Sequence, residues 1–147
     1  MVKETLIELF ERDLQKLIAE INLYGDENNL WVLKENISNS AGNLCLHLIG
    51  NLSHFVGAVL GNTGYVRQRD DEFSLKNIPR SELILNIGTT SRIVNDTLNN
   101  LSEQDMEKDF PLEMFGRIVN NTQILIHLYG HLNYHLGQIN YHRRLIG

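Results

Sequence analysis

Residues Thr122 to Gly147 read TQILIHLYGHLNYHLGQINYHRRLIG. Four of the six histidines lie here: His127, His131 and His135 at steps of four, and His142 seven further on. Residues four apart stand one above another on a helix. The stretch therefore reads as one helix carrying a column of imidazoles. His47 and His54 fall in a second apolar stretch, also at helical spacing. Whether these six rings are packing groups or metal ligands is the question the rest of the chain must answer.

Working outward, three more helices are expected. Over residues 2 to about 23, Leu6, Leu9, Phe10, Leu14, Leu17, Ile18 and Ile21 recur at three- and four-residue steps, with Glu4, Glu8, Glu11, Arg12 and Lys16 opposite. Tyr24-Gly25-Asp26 ends this helix, and Trp31 in the following connector reads as a local core plug. Asn39-Ser40 caps a second helix running to about Gly61. Gly42, Gly50 and Gly57 lower its intrinsic propensity, a cost tolerated where neighbours approach closely. Residues 65–79 are charged and aperiodic and read as a long connection. A third helix starts at Pro79 to Glu82 and ends near Leu101. Residues 105–120 form a second long connection, with a short extended piece at Phe110 to Phe115. An all-α, four-helix bundle with two longer connections, one domain over 1–147, is the expected fold. The connections allow a topology other than up-and-down, and the helix order in space stays open.

Bulk composition narrows the function. With 42% hydrophobic and 21% charged residues, the chain is ordinary for a soluble protein. Its net charge of −5 argues against nucleic acid. One cysteine cannot form an internal disulfide, so a reducing compartment is expected. The start is charged and amphipathic, without a signal-peptide core. The most apolar run, Leu44 to Leu60, is interrupted by His47, Asn51 and His54, which speaks against a membrane span. A cytoplasmic location is expected.

The carboxylates separate two kinds of metal bundle. Glu35 is the last acid before the second helix, Asp70 the next, and Glu113 the last in the chain. All 18 therefore lie outside both histidine helices. A di-iron carboxylate bundle needs inward Glu and Glu-x-x-His motifs, which these helices lack. A mononuclear, all-imidazole site remains. His131 and His135, one turn apart, can point two nitrogens at one ion. His47, midway along the second helix, is the natural third ligand, and three leave an open position as in catalytic zinc sites. His54, about 10 Å along the same helix, cannot share that site. Cys45 points roughly 200° away from His47 and reads as a core thiol. His127, Tyr134 and Gln138 are candidates for supporting or substrate contacts, Gln138 the best placed to orient His135. Arg143 and Arg144 suit either an anionic substrate or, preferably, the helix dipole.

At these residues the sequence resembles the DinB-like (DinB/YfiT-like) metalloenzyme superfamily. Two motifs carry the resemblance: Asn39 to Leu44, NSAGNL, followed by His47 to Leu52, HLIGNL; and His131 to Ile139, HLNYHLGQI. Tyr65 to Phe73, YVRQRDDEF, is similar to a connection in one branch of it. The resemblance covers nearly the whole chain. It implies a four-helix bundle, often a homodimer, with nickel or zinc on three histidines that correspond here to His47, His131 and His135. It also implies transferases and isomerases that use low-molecular-weight thiols.

Two functions follow as expectations. One is a metal-dependent enzyme, a small-thiol-dependent S-transferase or a hydrolase, acting on a small molecule without nucleic-acid or membrane partners. The other is a non-catalytic bundle that binds metal or a small molecule, or serves as a stress-associated dimer. The absence of Glu, Asp and Lys from the histidine helices favours the second.

Overall fold

In a computed structural model covering residues 1–147, the chain is helical throughout and contains no strand. Six α-helices follow one another: α1 (Val2–Leu23), α2 (Ala41–Leu52), α3 (Arg69–Ser74), α4 (Arg80–Asn100), α5 (Glu103–Glu107) and α6 (Asn121–Ile146). A 3-10 turn, Glu27–Trp31, follows α1, and a π-helix, Ser53–Leu60, continues α2. The caps explain several boundaries. Ser40 Oγ accepts from Asn43 N at α2, and Asn120 Oδ1 from Gln123 N at α6. Ser102 and Asp105 form a reciprocal capping box on α5. Helix α4 stops at Asn100, close to the end expected near Leu101, and Ser102 to Asp105 begin a new helix. At Phe110 to Phe115 there is only a pair of isolated bridges, Asp109 with Asn120 and Met114 with Arg117, around a turn at Phe115-Gly116.

Each long helix contributes one apolar stripe to a single 26-residue cluster. Helix α1 supplies Leu6, Phe10, Leu14, Leu17 and Ile21; α6 supplies Ile124, Leu125, Leu128, Leu132, Leu136 and Ile139. Helix α1 packs on α4 and α6, and α2 packs on the same two. The neighbours around the core thus run α1, α4, α2, α6. The α1–α2 and α4–α6 connections cross the core diagonally, which needs the length of segments 24–40 and 101–120. Ala41–Leu60 is long and apolar enough to cross a bilayer, but 61% of its most apolar 18-residue stretch is buried inside the fold.

The glycines of the second helix do admit close neighbours. A Cβ at Gly42 would lie 2.7 Å from the Trp31 ring, and one at Gly57 would lie 3.0 Å from Ile93. Gly57 and Val94 are both buried in the fold. Cys45 is fully buried, and burial pushes its thiol up to about 12.

A polar clasp joins α1 to α6. Asp13 is fully buried and accepts from Arg12 Nε at 2.8 Å, Tyr129 Oη at 2.5 Å and Asn133 Nδ2 at 3.0 Å. Burial works to raise its pKa, but these three partners together hold it below the usual carboxylate range. Its stabilising effect is therefore full above the ordinary carboxylate pKa and is lost as acid protonates it. Asp13→Ala should destabilise the fold by about 2–3 kcal/mol, because Tyr129 and Asn133 lose their acceptor while the exposed Arg12 is simply rehydrated. Urea denaturation checks this, and the difference from wild type should shrink in strong acid.

Candidate metal centre

The histidine column of α6 borders its apolar stripe. His131 and His135 each precede a core leucine, Leu132 and Leu136, which turns their rings about 100° from the core and toward α2. There they meet His47. The ligand atoms of the three rings all lie within 4.8 Å of one another, so the three can hold one metal ion. His131 Nε2 is 3.1 Å from both His47 Nε2 and His135 Nε2. The ring planes stand at 78°, 84° and 89° to each other, converging edge-on rather than stacking. Two nitrogens on a tetrahedral zinc, each about 2.0–2.1 Å from the ion, would be roughly 3.3 Å apart, close to the separation seen.

The far side of each ring decides its tautomer. His47 Nδ1 donates to Glu72 Oε1 at 2.9 Å, since a carboxylate only accepts. His135 Nδ1 donates to the Gln138 carbonyl oxygen at 2.7 Å. Both Nε2 atoms therefore present lone pairs to the one Nε2 of His131. A single proton there can satisfy one of them and not both. His131 Nδ1 is itself buried without a partner. Protein groups alone leave this cluster with a surplus of lone pairs, and a cation at their focus removes the surplus. Burial, then repulsion from His135 and His47, lowers the His131 pKa to about 4. Burial also lowers that of His47, against an opposing pull from Glu72. Both rings are thus neutral near pH 7, the form a metal requires.

Glu72, the residue that completes the site, was not legible in the sequence. It lies on α3, inside the segment that reads as a structureless connection. Arg67 grips its carboxylate through Nε at 2.9 Å and Nη2 at 3.0 Å. This places a buried Arg67–Glu72–His47 chain behind the cluster, the carboxylate–histidine arrangement that fixes metal-ligating rings elsewhere. The rule that no acid lies in the histidine helices holds, yet the site has its carboxylate. Helix α2 prepares the place. Asn43, one turn before His47, donates to the backbone oxygens of Glu72 and Leu75 at 2.9 and 2.8 Å, pinning α3. Gly50, three residues after His47, leaves the space that Glu72 fills: a Cβ there would overlap Glu72 Oε2. Gly50→Ala should displace Glu72 and weaken metal affinity by about 10–100-fold. Calorimetric titration of the variant with zinc measures this.

The remaining candidates do not enter the cluster. Gln138 is exposed but bonded to His135; Tyr134 is 66% exposed with its ring against His135. His127 is exposed and packs edge-on against Phe115. Asn133, on the same helix, donates to Asp13 and takes no part in the cluster. His142 is a packing group, bonded to Tyr24 Oη at 2.6 Å and the Val32 carbonyl at 2.8 Å. Arg143 and Arg144 lie in the last turn of α6, where their charge suits the helix dipole, and Arg143 also pairs with Glu20 at 2.7 Å.

Residues 3–147 match the model of a family described as "Protein of unknown function (DUF1572)", and the chain belongs to that family. No curated protein matches the chain.

Proposed function

We propose that this DUF1572 chain is a metal-dependent enzyme holding one divalent ion, nickel or zinc, on His47, His131 and His135 within a four-helix bundle of the DinB/YfiT-like type. The observation that carries the reading is the focus of three Nε2 atoms, where the lone pairs of His47 and His135 both meet the one Nε2 of His131 and a single proton cannot satisfy both. When bound, such an ion supplies a full double positive charge and an open position at which water or a small thiol loses its proton near neutral pH. Glu72 and Gln138 keep the protons of His47 and His135 on Nδ1, so both rings stay aimed inward. Arg67 keeps Glu72 in place. His131 and His135 are half-buried, which leaves the α6 side of the cluster open to a small molecule.

An S-transferase using a low-molecular-weight thiol, or a hydrolase, is the reaction class this supports. The test is turnover of small electrophiles by nickel- or zinc-loaded protein, with thiol and with water alone. Activity should vanish with chelator, return with metal and be absent in His47→Ala. Turnover indifferent to chelation would refute the enzyme reading. One observation favours a non-catalytic metal site instead: Glu72 is occupied by Arg67 and His47, so it is not free as a general base. In that case chelation would lower the melting temperature with no turnover under any condition.

A further inference from the structure

Next to the histidines lies a second set of polar groups that the fold does not use. Arg67 turns Nε and Nη2 to Glu72, and its Nη1 has no partner in the chain. The guanidinium is 3.5 Å from His47 Nδ1 and stacks 5.7 Å from the centre of the Phe55 ring. The Phe55 ring is in turn 4.7 Å from that of His54. Asn51, one turn after His47 on the same face, is 8% exposed and makes no hydrogen bond through its side chain. His54 is also unbonded, with Nδ1 buried and Nε2 left toward solvent. Asn51 and His54 follow His47 by four and seven residues, on the helix face that carries it; their buried unpartnered atoms are Asn51 Oδ1 and His54 Nδ1, which leaves Asn51 Nδ2 and His54 Nε2, like Arg67 Nη1, without a hydrogen-bond partner.

The charge of the site says what they fit. Arg67 and Glu72 form an ion pair whose charges cancel, and histidine rings bind a metal only in their uncharged form. An ion bound there would keep its full positive charge, which an anionic ligand would offset. A doubly charged phosphate would ask for more than one half-neutralised guanidinium, whereas a carboxylate is matched by one guanidinium edge with neighbouring N–H donors. We propose that the small molecule acting at the three-histidine centre carries a carboxylate, received by Arg67 Nη1 together with Asn51 and His54. This inference rests on the metal reading above and adds the class of ligand to it.

Zinc-loaded full-length protein is titrated with succinyl monohydroxamate and with its methyl ester, two probes of equal reach that differ in one charge. The acid should bind about 10–100-fold more tightly, the range of a charge-assisted hydrogen-bond pair. Arg67→Met should remove the preference. Because that change also frees Glu72, Asn51→Ala and His54→Ala, which leave the ion pair intact, are measured as well. Each should cut the preference at least about threefold and leave the ester unaffected. Zinc affinity is determined first for every protein. If wild type takes up no zinc, the three-histidine reading fails and takes this inference with it. If zinc binds but acid and ester bind equally, or the preference survives all three variants, the carboxylate site alone is overturned.

Discussion

His131→Ala is expected to lower zinc affinity by more than about a hundredfold, beyond what losing an outer partner of a metal site costs, and to change the stability of the metal-free protein by less than about 1 kcal/mol. The two effects part because of where the ring sits. His131 is the meeting point of the cluster, 3.1 Å from each neighbouring Nε2. Without metal it cannot satisfy both lone pairs, and its own Nδ1 is orphaned. Removing it deletes an unsatisfied buried group along with some packing, and these effects oppose each other. A ring present only for packing would behave otherwise: zinc affinity would be unmoved and the fold would lose about 2–4 kcal/mol. Calorimetric zinc titration and urea denaturation of the same variant decide between the two.

Glu72 should give the larger stability effect. Its side chain is 6% exposed and those of Arg67 and His47 13% and 10%. Glu72→Ala leaves a buried guanidinium without a counter-charge, which costs about 3–5 kcal/mol. Zinc affinity falls too, since His47 loses the acceptor that keeps its proton on Nδ1. Glu72→Gln separates the contributions. It retains an oxygen for His47 but not the charge, so metal binding should fall by about tenfold, the mild end of such changes. Unfolding curves and zinc titrations of both variants test this. A Glu72→Ala protein as stable as wild type would remove the Arg67–Glu72–His47 chain from the account.

Much of this was written in the periodic parts of the sequence. The α6 column and the midpoint of the second helix pick out His131, His135 and His47, because helical spacing alone decides which rings share a face. The helix order around the core was not legible, since two long connections permit several arrangements and only packing selects one. Glu72 was hidden for a different reason. It lies 25 residues from His47 on a six-residue helix, too short to show a hydrophobic period and embedded in a charged run. Its signal was indirect, in the helix that receives it: Asn43 one turn before His47, and Gly50 three residues after. A glycine within a helix can mark a backbone position that a specific side chain must reach, and here that side chain is a carboxylate.

The fold brings three imidazoles together at a focus sized for one ion. Titrating metal-free, full-length protein with zinc and with nickel tests this most directly. One ion per chain should bind below micromolar concentration, with the histidine ring signals of His47, His131 and His135 shifting together. Binding of neither metal below micromolar, or saturation that leaves those three rings unmoved, would contradict it.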